Sequence, residues 1–248
     1  MALSLWPERN RLIATLPRTD REHLVECLEL VRHRSGDVLY KAGSELQYAY
    51  FPVSGSVSLI TTMASGASTE LALLGNEGVA GLSLFMGSPT APNGAVVTET
   101  AYLYRLSEAH IRATFIHSLP LQSVLVRYAQ ALLMQMAQTA LCTRHHSLEQ
   151  QLGRWLLMIL DRTESDTIAI THEALSSRLG VRRESITVAA GTLQAAGILS
   201  CSRGRIRVLD RRTLETKACG CAQTVALELS RLLPISNSTR NAREAFTQ

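Results

Sequence analysis

Between His172 and Gly191 the chain carries a residue spacing that few folds satisfy. Counting His172 as position one, apolar residues fall at four, eight, ten, fifteen and eighteen: Leu175, Leu179, Val181, Ile186 and Ala189. A small residue, Ser176, sits at position five, and Gly180 sits at nine. Two short helices that cross steeply need a small side chain where their axes approach. They also need a tight turn whose residue tolerates positive φ. The five apolar residues supply a shared core, and Thr171 supplies an N-cap for the first helix. Left outward on the second helix are Arg182, Arg183, Glu184, Thr187 and Val188, with Ser185 beside them. Arginine forks onto the O6 and N7 of guanine, glutamate accepts from cytosine N4, and hydroxyls suit phosphates or base edges. A short helix with these groups at its N-terminal end fits a major groove.

The following stretch, Gly197 to Leu209, reads as two strands joined by a turn at Arg203-Gly204. It forms a basic hairpin whose Arg203 and Arg205 suit backbone phosphates. Charge agrees with this reading. From Thr171 to Thr213 eight arginines (178, 182, 183, 203, 205, 207, 211 and 212) stand against Glu173, Glu184 and Asp210. That segment therefore carries +5 in a chain whose formal net charge is +4. A basic patch on an otherwise neutral chain implies a polyanionic partner, here double-stranded DNA.

The N-terminal third reads as short strands broken by turn residues. Ser35-Gly36-Asp37 precedes a strand at Val38–Tyr40. A strand from Tyr48 to Val53 leads through a turn at Ser54-Gly55 into a second, Ser56 to Ile60. Further strands are expected at Glu70 to Leu74, Ala95 to Thr100 and Tyr102 to Leu106. This pattern predicts a small β-sandwich or barrel. Glu22 to Val31 has leucines and valines at helical spacing and predicts a helix packed outside it. Ser107 is a helix N-cap, and a long helix without glycine runs over 120–143. Along it Leu121, Leu125, Tyr128 and Leu132 recur at three- and four-residue steps, and Met134 and Met136 add apolar surface on other faces. Such a helix needs two partner surfaces, the β-domain and a second copy of the chain in a coiled-coil-like seam; a single buried core helix is the alternative. Ser147-Leu148-Glu149-Gln150 is a capping box that starts a new helix, with Arg144-His145-His146 as the hinge before it.

Taken together, these features resemble the Crp-Fnr family, the relatives of the cyclic-AMP receptor protein, from about Leu24 to Leu214. The residues that carry the resemblance are Gly36–Tyr40, Val53–Val57, Gly81–Phe85 and Thr171 through Leu199. It implies an α+β chain: an N-terminal jelly-roll sensor (1–116), a long dimerisation helix and hinge (117–146), a winged helix-turn-helix (147–215), and a C-terminal helix with a disordered tail (216–248), polar from Ser236 onward. It also implies a homodimer on a near-palindromic operator and RNA polymerase as a partner. The family's Arg-Glu pair stands here as Arg183-Glu184, followed by Ser185. Its second base-reading arginine falls at Val188, which donates no hydrogen bond but can touch a thymine methyl, so the operator is expected to differ.

The effector pocket implied by the resemblance lies at Gly81, Leu82, Ser83, Asn93, Gly94, Tyr128 and Leu132. Cyclic-nucleotide binders hold the ribose with a Gly-Glu pair and the cyclic phosphate with an Arg-Ser pair. The corresponding residues here are Gly81-Leu82 and Asn93-Gly94, which offer neither an acceptor for the ribose nor a cation for the phosphate. The adenine-binding hydroxyls fall near Met136 and Ala137, which have none. Cyclic AMP is therefore not expected in the usual mode, and the effector is unidentified. Iron-sulfur members use several N-terminal cysteines; only Cys27 lies there, so no such cluster is expected.

Five scattered cysteines do not make a disulfide framework and fit a reducing compartment. Cys219-Gly220-Cys221 could bind metal or respond to oxidation. No further Cys or His lies nearby in sequence, so packing is the expectation and no metal ligand is assigned. His145 and His146 read as solvated hinge residues. Two alternatives stand beside an effector-controlled regulator: a redox- or metal-responsive one using Cys219 and Cys221, or a constitutive DNA binder with a vestigial sensor. No nucleophile elbow, phosphate-binding glycine loop or metal-ligand cluster is visible in the sequence, so no enzyme is expected. Met1 to Arg9 lacks the apolar core of a signal peptide, and no apolar run is long enough for a membrane span, which implies the cytoplasm.

Overall fold

The computed structural model describes residues 5–163 and 165–234. The expected disordered tail from Ser236, and the first four residues of the stretch read for a signal peptide, lie outside them. A 3-10 turn (Pro7–Arg9) and two short helices, α1 (Arg11–Ala14) and α2 (Arg18–Glu26), precede an antiparallel sheet. Its strands are β1 (Glu29–His33), β2 (Val38–Tyr40), β3 (Tyr48–Thr62), β4 (Ser68–Leu74) and β5 (Gly94–Ser107). They lie in the order β1-β5-β3-β4, with β2 also on β5. The inward residues Phe51, Val57, Val97, Leu103 and Leu106 are fully buried.

Three local expectations change. Ser54-Gly55 is no turn between two strands but a bulge inside β3, where the β3–β5 register shifts. Gly55 adopts φ +70°, and a Cβ there would stand 2.5 Å from the Thr100 carbonyl oxygen, so only glycine permits the close approach. The two expected strands over 95–106 are likewise one, β5. The helix expected over 22–31 ends at Glu26, and Glu29 to His33 pair with β5 as a strand.

The remaining elements are α3 (Glu108–Phe115), α4 (Leu119–His145), α5 (Leu148–Leu160), β6 (Thr167–Ile168), α6 (His172–Leu179), α7 (Arg183–Ala195), β7 (Leu199–Ser202), β8 (Arg205–Val208), α8 (Arg211–Lys217) and α9 (Cys221–Leu232). Ser107 and Ser118 cap α3 and α4, and Ser147 with Gln150 closes the expected capping box on α5. Among the described residues no helix is long and apolar enough to cross a membrane.

Helix α4 has two apolar faces. Leu121, Leu125, Tyr128 and Leu132 are buried against the sheet. On the other side Leu119, Val126 and Leu133 repeat every seven residues and are 76%, 69% and 68% exposed. Met134 and Met136 are half-buried on the sheet side.

Two main cores meet at β4, the edge strand. Ala72 and Leu74 join the core of the β-rich domain, whereas Leu73 between them joins the core of α5, α6 and α7, around Trp155, Leu175 and Ile186. Period-two alternation puts neighbouring side chains on opposite faces, so one strand serves both domains. Helix α9 returns to the first core through Val225, Leu229 and Leu232. Cys142, Cys219 and Cys221 form a third, small buried group.

Two buried carboxyls fasten this seam. Glu70 on β4 accepts from the indole Nε1 of Trp155 (3.1 Å) and from the Ser58 hydroxyl. Burial pushes its carboxyl up from the ordinary range, against those hydrogen bonds and the charge of Arg178. Glu77, after β4, accepts from Nε of Arg162 (3.0 Å) and from the Gly75 amide (3.1 Å). Burial is the largest influence and opposes its charged form, but the Arg162 guanidinium and the backbone amides together outweigh it and hold the carboxyl below the ordinary range.

Candidate nucleic-acid interface

Thr171 caps α6 as expected: its hydroxyl accepts from the Ala174 amide at 3.1 Å. Gly180 closes α6 with φ +66°, the left-handed conformation that the turn requires. Leu175, Ile186 and Ala189 are fully buried between α6 and α7, Leu179 is buried and Val181 packs against them. Ser176, the small residue at the crossing, is buried too.

Arg182 is the N-cap of α7, in extended backbone and without a capping bond of its own. Arg183 and Glu184 follow in the first turn and are exposed, Ser185 is half-buried, and Val188 is 67% exposed on the same helix. Unsatisfied amides at this helix start add positive potential beside the arginines. Thr187 is exposed on the same helix, as expected. Its hydroxyl donates to the Arg183 carbonyl (3.2 Å) and lies 3.1 Å from Nδ1 of His172. It braces α7 on α6, a role the sequence reading did not give it.

Strands β7 and β8 pair from Leu199↔Val208 to Ser202↔Arg205 around the turn at Arg203-Gly204. Ile206 and Val208 point into the core, leaving Arg205 and Arg207 outside and Arg203 exposed at the tip. The Cys201 amide donates to Gln194 Oε1 (2.9 Å), which ties this wing to α7. The eight arginines of the basic segment divide. Arg207 pairs with Asp166, Arg211 pairs with Asp161 and Glu215, and Arg178 is half-buried near Glu70. Arg182, Arg183, Arg203 and Arg205 form no ion pair with any described residue. Arg212, exposed on α8, also forms no ion pair with any described residue, so the exposed unpaired cations lie at the start of α7, on the wing and at the start of α8. Sequence reasoning missed the bracing residues His172 and Gln194 and the inward turn of Arg178, because each depends on a partner in another element.

The expected effector residues fall in two places. Gly81, with φ +86°, donates its amide to the Tyr40 hydroxyl (2.9 Å). Tyr128 donates to the Val79 carbonyl (3.2 Å) and occupies the space a Cβ on Gly78 would take. Leu132 is buried, Leu82 is half-buried, and the Ser83 hydroxyl is buried without a described partner. Asn93 is half-buried at the start of β5, and Gly94 pairs with Ile60. Tyr40 links the two groups, since its carbonyl also lies 3.6 Å from the Cβ position of Gly94. A cavity of about 620 Å³ opens elsewhere, between the β3 bulge and the segment after α5, lined by Gly55, Glu99, Tyr102 and Arg162 among others. None of the expected effector residues lines it.

Residues 150–217 match the Crp-like helix-turn-helix domain family, and residues 30–118 match the cyclic nucleotide-binding domain family. The chain belongs to the Crp-Fnr family. Members of that family are transcription regulators, not enzymes. No curated protein sequence matches the chain. Among solved structures, FixK2 from Bradyrhizobium japonicum is similar with a TM-score of 0.65 at 16% identity, over 77% of this chain and 98% of that one. A CRP-family transcriptional regulator from Thermus thermophilus gives 0.65 at 18% identity, over 76% and 96%. The c-di-GMP-responsive global regulator CLP from Xanthomonas campestris gives 0.63 at 18% identity, over 78% and 100%. At these identities the likeness is one of fold.

Proposed function

We propose that this Crp-Fnr member binds DNA sequence-specifically as a homodimer on a near-palindromic operator and answers to an effector other than cyclic AMP. The observation that carries the DNA reading is the exposed, unpaired Arg183 beside Glu184 in the first turn of α7, flanked by the wing cations Arg203 and Arg205. Arg183 and Glu184 read base edges, Val188 meets a thymine methyl, and Arg182, Ser185 and the Thr171 end of α6 face phosphates. The partner for dimerisation is a second α4, because Leu119, Val126 and Leu133 place an apolar side chain on the open face once per heptad. Two α7 helices would then meet successive major grooves, about one helical turn apart. RNA polymerase as a further partner, and the cytoplasm as its place of action, follow from the same reading.

The effector reading rests on the sensor. With Leu82 and Asn93-Gly94 where a ribose acceptor and a phosphate cation would stand, a buried cyclic phosphate has no counter-charge. The Gly81 amide is already held by Tyr40. That same contact favours a second reading, a DNA binder that needs no effector. Selection of bound duplexes from a random pool, with and without metabolite extract, tests both. A two-fold motif supports the DNA reading, and no enrichment under any condition overturns it. Dependence on extract separates the effector reading from the constitutive one. Micromolar cyclic-AMP binding by calorimetry would refute the pocket argument. Leu133→Glu is expected to yield monomers by sedimentation while leaving the fold intact; an unchanged dimer would reject the α4 seam.

A further inference from the structure

Cys142 and His146 lie one turn apart at the end of α4. Cys219 precedes α9 and Cys221 is its first residue, 77 residues after Cys142 in the case of Cys219. The sequence reading saw only the Cys219-Cys221 pair and treated His146 as a solvated hinge residue. The fold corrects that picture. It brings three thiols and one imidazole together so that all four ligand atoms lie within 4.8 Å of one another. Cys142 Sγ is 3.4 Å from Cys219 Sγ, and Cys221 Sγ is 3.6 Å from His146 Nδ1. All three cysteines are buried, and His146 is half-buried.

These separations match one small cation. Zinc with thiolates at about 2.3 Å and imidazole at about 2.0 Å in a tetrahedron sets its ligand atoms roughly 3.5–3.8 Å apart. An iron-sulfur cluster spreads its terminal thiolates over separate irons and needs a wider set. The sulfur pair is also too far apart for a disulfide, whose bond is about 2.0 Å. Three sulfurs and a nitrogen suit a borderline-soft divalent ion and disfavour calcium or magnesium, which take oxygen. Four protein ligands leave no open position, the mark of a structural rather than a catalytic zinc.

The surroundings fit as well. Gln138 Nε2 donates to Cys221 Sγ at 3.0 Å. Such a donor orients a thiolate ligand and spreads its charge. A divalent ion with three thiolates and a neutral imidazole carries one net negative charge. Arg154 on α5 is near enough to both Glu70 and Cys142 to favour their charged forms. It is 5% exposed, its Nε has no described partner, and its other nitrogens make only long contacts of 3.4 and 3.5 Å to Thr139 Oγ1. A buried guanidinium so loosely held is a natural counter-ion for an anionic site.

We propose that Cys142, His146, Cys219 and Cys221 bind a single zinc ion that pins the hinge between α4 and α5 to the start of α9. His146 is the C-cap of α4 and is followed directly by the Ser147 cap of α5, so one ligand belongs to the hinge itself.

The test uses the full-length protein purified under reducing conditions. Elemental analysis is expected to find one zinc per chain. Cys142→Ser and Cys219→Ser should lose it, whereas Cys27→Ser and Cys201→Ser should keep it. Should the ligand variants fail to fold, the wild type still decides. After removal of zinc, cobalt(II) should bind at one equivalent with the visible bands of a tetrahedral thiolate site, and zinc should displace it. Folded wild-type protein that holds no zinc and shows no such bands overturns the proposal, as does full zinc retention in folded Cys219→Ser. Both readouts ignore DNA, so their failure would leave the operator reading standing.

Discussion

Arginine does opposite work on the two sides of the winged-helix domain. On the outer side Arg183, Arg203 and Arg205 are exposed and unpaired. On the inner side Arg162 is 10% exposed and grips Glu77, itself 8% exposed, across the seam with the sensor. A solvated cation costs nothing to leave alone and is available to phosphates and bases. A buried one persists only when its partner is supplied, and it then fixes position. On the proposed DNA reading the same residue type would therefore serve recognition on one face, while it serves architecture on the other, and burial with pairing tells them apart.

Four substitutions probe that contrast. Arg162→Ala should be the most damaging, since it strands a buried carboxylate: about 3–5 kcal/mol of stability by denaturant unfolding. Replacing both partners with apolar residues should cost much less. If Arg162→Ala unfolds like the wild type, the Arg162–Glu77 pair does not fasten the seam. Arg183→Ala should leave unfolding unchanged but cost about 1–3 kcal/mol of binding per half-site and relax base preference there. Untouched operator discrimination would remove Arg183 from the reading role.

A third effect is set by pH. Glu77, with its lowered carboxyl, lends stability above the ordinary value of 4.5 and loses it as pH falls. Glu70, with its raised carboxyl, has the reverse sign: its contribution is full below 4.5 and fades as pH rises through the raised value. Glu70→Gln should therefore flatten the loss of stability toward neutral pH while sparing the loss in acid, which a pH series of unfolding midpoints would resolve. An unaltered slope on the neutral side would contradict the raised carboxyl. Smallest is Arg203→Ala, which should weaken all duplexes alike and lower the salt slope of binding by about one. A change in preferred sequence would mean the wing reads bases.

Much of this was legible in sequence because it is local. The Ser147 capping box, the Thr171 cap, the Gly180 turn and the Arg203-Gly204 wing turn each depend on neighbours within a few residues. What was not legible depends on distance. Nothing near Cys219 in sequence announces Cys142 or His146. Nothing in the arginine run says that Arg178 turns inward while Arg183 stays out. Helix α4 is apolar on two faces, so periodicity alone did not separate the sheet-facing set of Leu121 and Leu125 from the open stripe of Leu119 and Val126. Ser54-Gly55 carries the composition of a turn, yet the chain runs straight on because the Gly55 backbone is pressed against Ala101.

The Gly180 turn rests on the sensor. A Cβ on that glycine would meet Thr69 of β4 at 3.2 Å, and the Thr69 hydroxyl donates to the Arg178 carbonyl at 3.4 Å. Only two residues separate Gly180 from Arg183. A sideways slide of the edge strand would therefore have almost no slack to consume before it tilted α7, and on the DNA reading proposed above the two domains would communicate over single side chains, not domain lengths.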